Sequence, residues 1–195
     1  MLKIGITGGI GSGKTTVSQV FKLLNVPIYY ADEAAKILMV NNIQIIAAIK
    51  KHFGKMAYLA SGELNRVYIA EVVFNNQQQL QLLNSLVHPA VFEDFKNWSN
   101  QQNTAYILKE AALLFETNFY KLNDFNILVS APLPLRIKNL IQRDNTTEKK
   151  LMAIIEKQMP ELQKQKLADF IIINDEQNFI INQVLALHTH FLNIA

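Results

Sequence analysis

Short apolar runs recur along the chain at 3–7, 26–30, 105–109, 126–130 and 170–174, and segments with helical spacing separate them. The clearest of these spans 15–24, where Val17, Val20, Phe21 and Leu24 fall on one face of a helix. Runs of this length bounded by turn residues predict strands. Their alternation with helices predicts an α/β fold, in which a parallel sheet of five strands is covered by helices on both faces.

The spacing of the runs is uneven. Roughly seventy residues, almost all helical in pattern, separate Tyr30 from Ala105, whereas a crossover between parallel strands needs about a dozen. The surplus predicts a helical subdomain over the C-terminal edge of the sheet, where open α/β sheets bind ligands. The tract 75–79 reads as the entry to a helix, and Glu33 to Val40 as a helix directly after the second strand. No internal repeat and no Pro/Gly/Ser linker divides the chain.

A second unusual stretch runs from 132 to 166. A helix expected over 133–143 carries Arg136 and Arg143, seven residues apart and so on nearly one face. Asp144 to Glu148 then restarts a helix, with Thr146 or Thr147 as its N-cap. Two arginines on one face between polar hinges fit a lid that senses phosphate, and equally fit a solvated basic face.

Composition narrows the class. A chain of 195 residues, 50% of them apolar, fits one domain with a substantial core. The formal charge is +3, from 19 Lys+Arg against 16 Asp+Glu, with the basic residues scattered. That balance suits anionic small molecules; it does not make the stripe of a nucleic-acid binder. Without cysteine there is neither a disulfide framework nor thiolate chemistry. No apolar run approaches a membrane span, and the strand pattern begins too early for a signal peptide, so the expected location is the cytoplasm.

The candidate chemistry starts directly after the first strand. Gly8, Gly9, Ile10, Gly11, Ser12, Gly13, Lys14 and Thr15 follow the pattern G-x-x-x-x-G-K-[ST], and five of the seven glycines lie between positions 5 and 13. A glycine turn ahead of a lysine arises by chance, but here a strand precedes it and a helix follows. In that setting successive N–H groups and the helix N-terminus converge on one point and bind phosphate. Lys14 reaches the terminal phosphates of a nucleotide, and the Thr15 hydroxyl is a ligand for Mg²⁺.

Two further residues are candidates for the reaction itself. Asp32 follows the second strand and reads equally as a general base or as the N-cap of the next helix. Glu110 closes the strand-like run from Tyr106 and could hold Mg²⁺; the alternative is that Thr15 and water hold it alone. Guanine-specific switches carry Asp-x-x-Gly and Asn-Lys-x-Asp, and neither occurs here. The small size and the two extra helical pieces favour a kinase closing around two substrates over a motor ATPase.

The run from Gly5 to Thr16, followed by Ala31 and Asp32, resembles the dephospho-CoA kinase family. The likeness continues in order through Leu64-Asn65-Arg66, Val73-Phe74, His88-Pro89 and Leu113-Leu114-Phe115-Glu116. It extends to Gln142-Arg143-Asp144, Gln158, Ala168-Asp169 and Asn174-Asp175. The resemblance implies a three-layer P-loop NTPase fold. It also implies an enzyme that uses ATP and Mg²⁺ to phosphorylate the ribose 3′-hydroxyl of dephospho-CoA, the last step of coenzyme A synthesis.

By the same resemblance, Gly9, Gly11, Ser12, Gly13, Lys14, Thr15 and Thr16 hold the ATP phosphates, with Arg136 and Asn174 also at the nucleotide. Lys14, Asp32 and Arg143 act on the transferring group. Arg66, His88 and Glu116 contact dephospho-CoA together with Asp32, while Thr15 and Glu110 hold the metal. His88 reads alternatively as a structural hydrogen-bonder in a helical hairpin, and His52, His188 and His190 as surface or packing residues. One kinase domain over 1–195 then divides into a nucleotide core (1–31, 104–131 and 168–195), an acceptor subdomain (32–103) and a lid (132–167).

Four positions depart from the family pattern. Tyr30 stands where an aspartate is usual, Asn65 replaces the aspartate before Arg66, Ala112 replaces a proline, and Ile154 an arginine. None removes Lys14, Thr15, Asp32 or Arg143. The alternative functions are another small-metabolite or nucleoside-monophosphate kinase, and a nucleotide-binding ATPase or switch without an acceptor.

Overall fold

The computed structural model describes residues 1–74 and 76–195. In chain order the elements are β1 (Leu2–Thr7), α1 (Lys14–Leu23), β2 (Ile28–Tyr30), α2 (Ala31–Asn41), α3 (Ile43–Phe53), α4 (Arg66–Phe74) and α5 (Gln77–Asn100). They continue with β3 (Tyr106–Glu110), β4 (Phe125–Ser130), α6 (Leu133–Asp144), α7 (Glu148–Ile155), α8 (Glu161–Leu167), β5 (Phe170–Ile173) and α9 (Ile180–Ile194). They form two compact units, one comprising Met1–Tyr30 with Gln102–Ala195, the other Ala31–Gln101.

The first unit holds a parallel five-stranded sheet in the order β2-β3-β1-β4-β5. All five expected strands are present. The second is shorter than its apolar run, because Asn25 turns the chain at φ 61 and the Val26 N–H closes α1 by bonding to the Phe21 carbonyl. Pro27 has no N–H to give the ladder and contributes only its carbonyl, which accepts from Leu108 N. Asn25 and Val26 thus stay out of the ladder, and Pro27 joins it through its carbonyl alone.

The near-continuous burial of β1, β3 and β4 is what a parallel sheet covered on both faces requires. On one face Ile4, Ile6, Tyr106, Leu108, Ile127 and Val129 pack against Val17 and Phe21 of α1 and Val184 and Phe191 of α9. On the other face Gly5 leaves room for the side chains of Leu114, Asn123 and Asn126, which a Cβ there would strike. His188 meets the Tyr106 hydroxyl at 2.6 Å, and the His190 ring lies against Phe125 and Phe170, so both are packing residues.

The second unit is helical. Asn42 caps α3 by accepting from Gln44 N and Ile45 N, and Ile45, Ile49 and Phe53 bury one stripe. Asn65, one of the departures, is the N-cap of α4: its side-chain oxygen accepts from Tyr68 N at 3.2 Å. The amide therefore caps the helix without bringing a charge to it. Asn76 caps α5; the rest of the expected helix entry agrees, apart from Asn75, which lies outside the described residues.

Two expectations change here. Helix α2 starts at Ala31, so Asp32 sits inside its first turn and is not the residue that caps it. His88 and Pro89 lie in the interior of the long helix α5, which packs against α4, and so not at a turn between helices. Pro89 can donate no hydrogen bond back to Ser85, a loss the helix absorbs there. Among the described residues no helix is long and apolar enough to cross a membrane.

Candidate functional site

The sheet order makes β1 the switch point: β2 and β3 lie to one side, β4 and β5 to the other. A loop leaving the C-terminal end of β1 therefore opens into the crevice where such sheets bind ligands. The loop at 8–13 does this and feeds directly into α1. Gly11 and Gly13 have φ 77 and φ 92, left-handed values that strain any residue with a Cβ. Ser12 N closes a turn on the Gly9 carbonyl at 3.0 Å. Lys14, Thr15 and Thr16 open α1, so their N–H groups have no acceptor within the helix.

Side chains from distant segments hold this loop. The Asn174 amide donates to the Ser12 carbonyl at 2.9 Å, while Asn174 N extends the sheet by bonding to the Ser130 carbonyl. Arg136 Nε donates to the Ile10 carbonyl at 2.8 Å, and Ile10 N donates to Gln158 Oε1 at 3.0 Å. The Ser12 hydroxyl oxygen is buried without a hydrogen-bond partner.

Thr15 and Glu110 meet beside the loop. The Thr15 hydroxyl donates to Glu110 Oε1 at 3.1 Å, and Glu110 Oε2 is buried with no hydrogen bond. Tyr30 is the register partner of Glu110, and its hydroxyl accepts from Gln19. Burial first, then the Glu110 charge, raises the Tyr30 phenol above its ordinary pKa, so it stays protonated at neutral pH.

The two arginines of α6, expected on nearly one face, occupy opposite environments. Arg136 is 5% exposed, with Glu161 3.8 Å away, and burial lowers its pKa while Glu161 opposes the shift. The Arg143 side chain is 68% exposed and grips the Asp144 carboxylate through two hydrogen bonds of 2.7 Å. Helix α6 ends on Asn145 at φ 47, and Thr147 takes the cap position of α7 without using its hydroxyl.

Glu116 is tied into its own unit. Its Oε1 accepts from Met159 N at 3.0 Å and pairs with the buried Lys164 at 2.9 Å. Ala112, at the position of the usual proline, has its carbonyl bonded by Thr7 Oγ1, and Ala111 N bonds the Ile6 carbonyl. These bonds hold the segment in place. In the helical unit Arg66 is exposed at the start of α4, and burial lowers the pKa of His88.

Gln158, Glu161 and Lys164 are the members of this arrangement to which sequence reasoning gave no role. Gln158 had been placed among the family motifs without a function. Its partner is a backbone amide, which no residue pattern encodes.

The dephospho-CoA kinase family model matches residues 2–179. A dephospho-CoA kinase of Bacteroides fragilis is 35% identical over 187 residues, covering 95% of this chain and 91% of the relative. One of Mannheimia succiniciproducens is 33% identical, covering 98% and 92%. A Thermus thermophilus crystal structure superposes with TM-score 0.88 at 28% identity, covering 98% and 97%. Dephospho-CoA kinase from Campylobacter jejuni (TM-score 0.69, 23% identity, covering 98% and 97%) shares the fold. The chain belongs to the dephospho-CoA kinase family.

Proposed function

We propose that this chain transfers the γ-phosphoryl group of ATP to the ribose 3′-hydroxyl of dephospho-CoA. The observation that carries the proposal is the glycine loop at the sheet's switch point, joined at its helix to the Thr15–Glu110 pair, in a member of this family. The first-turn amides of α1, together with Gly9, Gly11, Ser12 and Gly13, cradle the phosphates, and Lys14 lies on the group in transfer. Asn174 lies toward the adenine.

Mg²⁺ fits the donor set beside the loop. Hydroxyl and carboxylate oxygens are the hard ligands this ion takes, and Glu110 Oε2 is buried with no hydrogen bond to use it. Thr15 and Glu110 would hold it. When bound, the ion neutralises negative charge on the β- and γ-phosphate oxygens.

Asp32 takes the proton of the 3′-hydroxyl as its oxygen bonds to the γ-phosphorus; the bond to the bridging oxygen breaks and ADP leaves. Lys14 and Arg143 stabilise the charge on the equatorial oxygens. In the helical unit Arg66 and His88 are the candidate contacts for dephospho-CoA, and in the sheet unit Glu116. The cytoplasm, which supplies ATP, is the location this reading entails.

The test is to supply ATP and Mg²⁺ with dephospho-CoA, with a nucleoside monophosphate, or with no acceptor, and to follow ADP. Release stimulated by dephospho-CoA alone supports the proposal. Stimulation by the monophosphate, or release without any acceptor, overturns it.

A further inference from the structure

Both backbone polar atoms of Ile10 are gripped by side chains from outside the glycine loop. Its carbonyl accepts from Arg136 Nε at 2.8 Å, and its N–H donates to Gln158 Oε1 at 3.0 Å. The two grips come from opposite ends of the expected lid, one from α6 and one from the residues after α7. Gln158 thus holds the peptide unit before Ile10 and Arg136 the one after it, so neither unit can rotate without breaking a bond.

The surroundings are built for this contact. A Cβ on Gly9 would run into the Arg136 guanidinium, and one on Gly11 would lie 2.7 Å from Leu140 Cδ1. Arg136 is 5% exposed, and a buried guanidinium is costly unless it is paired and hydrogen-bonded. Here Glu161 and the Ile10 carbonyl supply those partners. Gln158 is fixed from the other side, because Met159 N bonds to Glu116 Oε1 and Lys164 pairs with the same carboxylate. The acceptor for Ile10 N therefore sits on a braced segment.

We infer that Gln158, with Arg136, is a positioning residue of the nucleotide site. It orders the glycine loop before ATP arrives. The inference rests on the proposed reading of that loop as the ATP phosphate cradle. A glycine-rich loop has much conformational freedom to lose on binding, and a scaffold that removes this freedom beforehand raises affinity without touching the ligand. Gln158 acts on ATP through Ile10.

The experiment compares the full-length protein with Gln158→Met, which keeps the length of the side chain and removes the acceptor oxygen. ATP and dephospho-CoA binding are titrated separately by calorimetry, with thermal midpoints and hydrogen exchange of the Ile10 amide. The expected result is ATP binding weaker by about 3- to 10-fold, the range one hydrogen bond spans. The KM for ATP rises in step, dephospho-CoA affinity stays within about twofold, and Ile10 exchange accelerates. ATP affinity unchanged, or both affinities falling together with the midpoint, overturns the inference. If the variant does not fold, the parent protein decides: a protected Ile10 amide without ATP supports the inference, and an unprotected one overturns it. ATP binding by the parent protein is the separate check on the proposed function, since its absence would refute that reading whatever Gln158 does.

Discussion

The Thr15 hydroxyl and Glu110 Oε1 are joined at 3.1 Å, linking the first turn of α1 to the last residue of β3. Each is an oxygen donor that Mg²⁺ accepts, and the second Glu110 oxygen is buried without a hydrogen bond. Glu110→Gln keeps the shape and removes the charge. A Mg²⁺ titration of activity at fixed ATP is expected to show an apparent metal affinity lower by about 10-fold or more. An unchanged titration would mean that Thr15 and water hold the ion alone.

Asp32 stands in the first turn of α2, past the position that precedes the helix. Asp32→Asn is expected to lower turnover by ~10²-fold or more, the usual size of a general-base effect, with ATP affinity unchanged. Turnover near that of the parent protein would remove Asp32 from the reaction.

Arg143 is exposed, and its guanidinium is held by its neighbour Asp144. If it reaches the transferring group only as the lid closes, Arg143→Ala lowers turnover by roughly 10²-fold while ATP binding changes little. Calorimetry alongside steady-state kinetics separates the two. A fall in ATP affinity with turnover preserved would contradict a role in the transition state.

Lys109, next to the C-terminal end of β3, is 5% exposed, and burial, followed by the charge of Lys3, lowers its pKa to about 8. Below pH 8 it is protonated in both folded and unfolded chains, and the full cost of burying its charge is present. Between pH 8 and 10.5 the unfolded chain holds more protons, so this contribution makes the fold more stable as pH rises. Lys109→Met is expected to be more stable than the parent at pH 7 by on the order of 1–3 kcal/mol, part of the gain being offset by the lost contact with the Phe119 ring. The difference shrinks across that window. Equal melting temperatures at pH 7 would show that the lysine is already well compensated.

The strands, the glycine loop and the long helical stretch were legible in the sequence because each rests on local pattern: apolar runs, left-handed glycines, helical spacing. The short β2 was not, because its length is set by a turn at Asn25 and the missing N–H of Pro27. Arg136 and Arg143 looked equivalent by spacing, yet one is buried beneath the loop at Ile10 and the other faces solvent. Spacing defines a helix face without saying what packs against each part of it. Gln158 had no readable role because its partner is a main-chain atom far away along the chain.

The sheet order also governs how the chain can assemble. β1 and β2 are made first but are not neighbours; each finds its partner only when β3 arrives, beyond the whole Ala31–Gln101 unit. That unit has buried residues of its own, among them Ile45, Ile49, Phe53, Val87 and Val91, and can condense on the ribosome while the apolar β1 still waits. Such long-range pairing is slow, because the intervening loop must close before any contact repays it. The arrival of β3 is therefore the event that lets β1 and β2 enter one sheet, and until then the apolar β1 has no neighbouring strand to pair with.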